Sequence, residues 1–194
     1  MHEQSLFADP PARESVLEIP IRDAVLRYHA HAFSGCEADR YFDALFETTP
    51  WRADTITIHG KSIPLPRLQA WYCDHDWPLH YSGMAVSALA WTPVLRSIRE
   101  RVCELSGRDF NGVLVNCYRD GNDSVGWHSD DEAELGVLKH RRDKAVKPVT
   151  CPLTHGSLLV MGETVQNTWQ HQLPKRRRVT APRINLTFRN LLAP

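Results

Sequence analysis

The 194-residue sequence predicts an α+β fold, mainly β, with two supporting helices in its N-terminal half. Three observations carry this. Two segments pair helix-start chemistry with apolar residues at helical spacing; the remainder is short β-like runs punctuated by turns; and the last run, Arg183-Ile-Asn-Leu-Thr-Phe-Arg189, alternates strictly in polarity.

Taken in chain order, residues 1–15, with Pro10-Pro11, read as a loose arm leading into a short extended piece at Val16-Leu-Glu-Ile19. Ser34 and Glu37 have the spacing of a capping box, in which each side chain takes up a free backbone amide. Tyr41, Phe42, Leu45 and Phe46 then follow at helical spacing up to Pro50. Thr92-Pro93 is a second start, an N-cap followed by proline at the first helical position, and Val94, Leu95, Ile98, Val102 and Leu105 line one side up to Gly107. Residues 51–91 hold short β-like runs such as Thr55-Ile-Thr-Ile58, broken by prolines and rich in aromatics. From residue 113 to 191 the pattern is β with turns, including Asp120-Gly121 and His155-Gly156. A single domain over residues 1–194 is expected.

Composition narrows the partners. With 42% hydrophobic and 24% charged residues the chain fills one core, and 23 basic against 23 acidic residues leave no global field to draw it to nucleic acid or membrane. Any nucleic-acid contact is therefore local. The cysteines Cys36, Cys73, Cys103, Cys117 and Cys151 are odd in number and form no CxxC pair, and no apolar segment near the N-terminus resembles a signal or a membrane span. The expectation is a reduced, intracellular monomer that contacts no membrane, cytoplasmic in a bacterium and nuclear in a eukaryote.

The chemistry lies in the β region. His128 and Asp130 stand two apart on a strand-like run, and His171 follows at a distance; two histidines and a carboxylate in this arrangement form the facial triad that holds non-haem Fe(II) with positions open. The alternative is a surface histidine paired with an aspartate. On the final strand Arg183, Asn185, Thr187 and Arg189 share the face opposite Ile184, Leu186 and Phe188, and Asn116 and Tyr118 share a face of an earlier strand. A solvated outer face explains such a strand by itself. Beside the histidines it fits an inward face that meets an enclosed dicarboxylate, whose buried charges require donors such as the forked guanidinium of arginine.

The order of these pieces, Asn116-Cys-Tyr118, Gly126-Trp-His128-Ser-Asp130-Asp-Glu132, His155-Gly-Ser157-Leu-Leu159 and Ala181-Pro-Arg183 to Arg189, preceded by Pro66-Arg-Leu-Gln-Ala-Trp-Tyr72, resembles the AlkB family. These are Fe(II)- and 2-oxoglutarate-dependent dioxygenases that remove alkyl groups from nucleobases. The resemblance implies a double-stranded β-helix, or jelly-roll, core over residues 113–191 and a nucleotide-recognition lid over 51–91. It implies that His128, Asp130 and His171 bind iron, that Asn116 and Tyr118 contact 2-oxoglutarate, and that Arg183 grips its distal carboxylate. Arg189, with Asn185 and Thr187 nearby, serves the chelating end and counts with the ligands as catalytic. A flipped base in DNA, or in RNA, stacks between Tyr81 and His128, with Ser82, Asp131 and Glu132 at the pocket edge and Gln69 and Trp71 in the same substrate-binding region. The implied reaction consumes O2 and 2-oxoglutarate, gives succinate and CO2, and releases the alkyl carbon as an aldehyde.

One departure stands out. After Gly136 members of the family continue with a further β-run, whereas here Val137-Leu-Lys-His-Arg-Arg142 follows directly. One family strand and its turn are expected to be missing, which would leave sheet edges uncovered. The basic runs Lys139–Arg142 and Lys175–Arg178 read either as solvated turns or as local phosphate contacts.

Overall fold

The structure, a computed structural model, describes residues 16–58, 60–81, 84–128 and 137–192. The chain opens with β1 (Val16–Ile21) and β2 (Ala24–His29), a hairpin turned by Arg22-Asp23. Helix α1 (Gly35–Thr48) begins as its sequence dictates: the Ser34 amide donates to Glu37 Oε2 at 2.9 Å and the Glu37 amide to Ser34 Oγ at 3.4 Å. Two hairpin strands, β3 (Thr55–Ile58) and β4 (Lys61–Pro64), precede β5 (Leu68–Cys73), and a second hairpin follows, β6 (Leu79–Tyr81) with β7 (Met84–Val86). Helix α2 (Pro93–Ser106) is capped by Thr92, whose hydroxyl accepts from the Leu95 amide, and is ended by Gly107 in the left-handed region at φ +68°.

The second half is β8 (Gly112–Tyr118), β9 (Val125–His128), β10 (Val137–His140), β11 (Val149–Thr150) and β12 (Leu158–Met161), then a short helix α3 (Glu163–Thr168), β13 (Trp169–Leu173) and β14 (Arg183–Arg189). Pairings between these strands are antiparallel, in the orders β1-β2-β12, β11-β10-β13-β9 and β14-β8-β5. Helix α3 adds to the two helices predicted. Its Val165 is buried with Leu26, Leu138 and Trp169, so tertiary packing holds a segment whose β-branched Thr164, Val165 and Thr168 do not favour helix.

The alternation predicted for residues 183–189 sorts the core. Ile184, Leu186 and Phe188 pack with Ala70, Tyr72, Val113 and Val115 against Leu95, Ile98 and Val102 of α2 and Leu45 of α1. The opposite face of the same sheet carries the polar side chains, closed at one end by a cluster of Trp71, Leu79, Val86 and Leu114 under the β6–β7 hairpin. Burying a Leu or Val here contributes about 1.5–3 kcal/mol, which locks register, since a one-residue slip would exchange the two faces. The five cysteines are all free, and among the described residues no helix is long and apolar enough to cross a membrane.

Candidate active site

Three strands build a buried polar face. Register places Tyr118 opposite Arg183, and puts Gln69 and Asn185 on either side of Asn116. Gln69, Asn116 and Thr187 are fully buried, and Tyr118 is 3% exposed. Buried polar groups need partners, and several have them. Gln69 Nε2 donates to Asp54 Oδ2 at 2.8 Å, and Asn185 Nδ2 to Thr187 Oγ1 at 3.3 Å. Arg67, itself buried, donates from Nε to Asn116 Oδ1 at 2.9 Å. Because a guanidinium only donates, this bond identifies the oxygen end of the Asn116 amide and directs Nδ2 away from Arg67. Asn116 Nδ2 and Tyr118 Oη are buried with no hydrogen-bond partner among the described residues. Each such orphan costs about 1–3 kcal/mol unless something meets it.

The neighbouring sheet positions the histidines. His171 on β13 is 1% exposed, and its register partner on β9 is His128. The ladder shifts between Leu173, which pairs with Val125, and His171, so β9 carries one more residue than β13 over this stretch. That bulge decides which residue of β9 stands opposite His171. A regular ladder continuing from Val125 would set Trp127 there. Trp127 instead lies under Lys139, whose Nζ is 4.2 Å from the ring centroid. Asp130, predicted as the third ligand, lies outside the described residues, as do Asp131, Glu132 and Ser82. Among the described residues no group of three His, Cys, Asp or Glu side chains converges as a metal site.

The expected substrate residues divide between backbone and core. Tyr81 ends β6, its backbone paired with Met84. Trp71 is fully buried and gives its indole N–H to the Trp77 carbonyl at 2.9 Å, packing with Leu79 and Val86 of the β6–β7 hairpin. Gln69, equally buried, ties β5 to Asp54. Neither presents an open surface to a base.

Two turns are fastened together beside these strands. Arg119 holds Asp123 in a fork, Nε to Oδ2 and a terminal nitrogen to Oδ1, both at 2.8 Å. That pairing keeps the Asp123 carboxyl below its usual range against the opposing effect of burial. Gly121 then bonds the exposed basic turn through backbone alone, its amide to the Val179 carbonyl at 2.8 Å and its carbonyl to the Arg176 amide at 2.7 Å. The connection from β8 to β9 and the one entering β14 are thereby pinned to one another.

Arg67 was not singled out from the sequence, although it stands in the run Pro66-Arg-Leu-Gln-Ala-Trp-Tyr72. The available signal was an arginine at the mouth of an apolar strand, where charge requires a partner.

A profile of the 2OG-Fe(II) oxygenase superfamily matches residues 26–189. The chain is 37% identical to DNA oxidative demethylase ALKBH2 of Mus musculus over 185 positions, covering 82% of this chain and 77% of that one. It is 36% identical to alpha-ketoglutarate-dependent dioxygenase alkB homolog 3 of Homo sapiens over 179 positions, 80% of this chain and 62% of that one. A crystal structure of a 2OG-Fe(II) oxygenase family oxidoreductase from Burkholderia pseudomallei superposes with a TM-score of 0.50 at 15% identity, over 84% of this chain and 83% of that one. This is a fold likeness, and the antiparallel sheets fit the mainly β jelly roll it implies. The protein is an iron- and 2-oxoglutarate-dependent oxygenase. Within that class the chain belongs to the AlkB family.

The residues present fit those cofactors. Asn116 Nδ2 and Tyr118 Oη are the kind of buried donors that a carboxylate-bearing cosubstrate satisfies, Arg183 shares their face, and two histidine positions stand in register on the adjoining sheet.

Proposed function

We propose that this chain dealkylates N-alkylated bases in DNA, methyl-adenine or methyl-cytosine lesions among them. The observation that carries the reading is the buried polar face, where two partnerless donors lie in the rows of Arg183 and Asn185. The DNA substrate is supported by the relatives named DNA oxidative demethylase, more than a third identical over most of the chain.

In this reading His128, Asp130 and His171 hold Fe(II), which with O2 and 2-oxoglutarate supplies oxidation of the alkyl carbon that then leaves as an aldehyde. Arg183 takes the distal carboxylate of the cosubstrate by charge-assisted hydrogen bonds, with Tyr118 opposite it in register. Asn116, steadied by Arg67, offers its amide N–H groups to the same ligand, and Arg189, Asn185 and Thr187 line the chelating end. Residues 51–91 cover the site as a lid, and Tyr81 and His128 flank the extruded base, with Ser82, Asp131 and Glu132 at its edge. The exposed turn 175–178 meets phosphates.

Mass spectrometry of a methylated oligonucleotide, incubated with the protein, Fe(II) and 2-oxoglutarate, tests the reading. Loss of the methyl mass with matching succinate is expected. An oligonucleotide bound yet unchanged would reduce the chain to a binding module, and turnover of methylated RNA or peptide in its place would move the substrate.

A further inference from the structure

The sheet that carries His171 has a second face. In the order β11-β10-β13-β9, the side chains of Leu138, Trp169, His171 and Leu173 are buried, so alternation turns Lys139, Gln170 and Gln172 to the other side, where they are half covered. Register sets Lys139 beside Gln170, and the Arg141 amide bonds the Thr168 carbonyl at 2.8 Å, carrying the pairing past the end of β10. Trp127 is on this side as well, since its ring meets the Lys139 ammonium at 4.2 Å, and it is 37% exposed. Beside it Gly126 leaves open space where a side chain would stand.

The face is cationic with nothing in the sheet to balance it. No residue of β9, β10, β11 or β13 is Asp or Glu, and among the described residues Lys139, Arg141 and Arg142 form no ion pair. An ammonium held over an indole keeps its three N–H donors for an anion. An exposed aromatic ring, adjoining cations and amide side chains on one sheet face are together the parts that bind single-stranded nucleic acid, in which the ring stacks a base and the cations follow the backbone. A duplex keeps its base faces inside, and a lipid surface calls for apolar neighbours where Gln170 and Gln172 stand.

We propose that this face binds an unpaired stretch of DNA, with a base stacked on Trp127, phosphates at Lys139 and Arg141, and base edges met by the Gln170 and Gln172 amides. For the choice of DNA it rests on the reading given under the proposed function; for the rest it needs neither iron nor turnover, and the strand it binds is undamaged.

The experiment titrates the full chain with fluorescein-labelled oligothymidine of about ten nucleotides, followed by anisotropy. Saturable binding is expected. Trp127→Ala should weaken it by at least about fivefold, and Trp127→Phe, which keeps a ring, should restore most of the loss. Lys139→Gln should lower the slope of log affinity against log salt by about 0.7. The corresponding duplex should lose less than the single strand in Trp127→Ala. Because that variant could disturb β9, the unaltered chain is also irradiated with an oligonucleotide carrying 5-iodouracil at its centre, and mass spectrometry is expected to find the adduct on Trp127. The proposal is overturned if the adduct is absent from Trp127, if Trp127→Ala binds the single strand as the parent does, if the duplex loses as much, or if oligouridine binds more tightly than oligothymidine. Turnover of a methylated base without this adduct would overturn the present inference and keep dealkylation; the adduct without turnover would do the reverse.

Discussion

His171 lies directly opposite His128 across β13 and β9, and it does so because β9 carries an extra residue between Val125 and His128. The histidines are 43 positions apart in sequence, so neither local propensity nor spacing joins them; the bulge does. Removing Gly126 takes that extra residue out, so a regular ladder sets Trp127 opposite Gln172 and keeps His128 opposite His171. The deletion variant is expected to melt cooperatively and to retain Fe(II) binding, followed by calorimetric titration of the anaerobic protein. Loss of iron with the fold intact would mean that the register of His128 with His171 is not what brings the ligands together.

Asn116 separates two roles that an alanine would merge. Its oxygen is held by the buried Arg67, while its nitrogen is buried with no hydrogen-bond partner among the described residues and, in the proposed function, meets the cosubstrate. Asn116→Asp keeps a partner for Arg67 and replaces the donor by a second carboxylate oxygen facing an anionic cosubstrate. The expected outcome is a melting temperature within a few degrees of the parent and a 2-oxoglutarate Kd raised at least tenfold, about 1.4 kcal/mol. Arg67→Met, by contrast, should lower both stability and affinity, because it also removes the group that fixes the amide. Quenching of intrinsic fluorescence by 2-oxoglutarate reads the affinities, and thermal melts read the stabilities.

What could be read from the sequence was what local chemistry writes into it. Ser34 with Glu37, and Thr92-Pro93 with Gly107, mark two helices because capping groups and a left-handed stop act within a few residues. The polarity of residues 183–189 reports its faces because side chains in a strand alternate regardless of what lies beyond. Helix α3 escaped because its β-branched residues oppose helix and only the buried Val165 compensates. The bulge escaped because a period of two assumes an unbroken ladder. Arg67 escaped because its partner is 49 residues away and is brought near only by the pairing of β5 with β8. Trp71 and Gln69 were assigned to substrate from their place in a motif, whereas their hydrogen bonds tie them to Trp77 and Asp54.

The fork between Arg119 and Asp123 predicts a pH dependence. Asp123 has its carboxyl pKa lowered in the folded protein, first by hydrogen bonding to Arg119. A lowered folded value means the stabilisation is fully present above the ordinary carboxylate pKa of about 3.9 and is lost as pH falls through the folded value. Since the Arg119 side chain is 55% exposed and screened by solvent, the contribution at neutral pH is about 1 kcal/mol. Asp123→Asn is therefore expected to be less stable than the parent by that amount at pH 7, with the gap narrowing below pH 4. Urea melts at a series of pH values measure it, and a gap that stays constant down to pH 3 would contradict the assignment.

Gly121 holds the basic turn, and its substitution tests whether that turn meets phosphate. A Cβ at position 121 would overlap the Arg176 carbonyl oxygen, a backbone atom that no rotamer change can move. Gly121→Ala should break the two backbone bonds to Arg176 and Val179 and release residues 175–178 from the β8–β9 connection. If Arg176, Arg177 and Arg178 neutralise phosphates, replacing all three by alanine lowers the slope of log affinity against log salt by about 0.9 for each phosphate left unneutralised on duplex DNA. Gly121→Ala, which keeps every charge but loosens its placement, should lower the same slope by less while leaving intrinsic iron affinity unchanged. Fluorescence anisotropy with a duplex at several salt concentrations gives both slopes. Unchanged slopes in the triple variant would assign the turn to solvent alone.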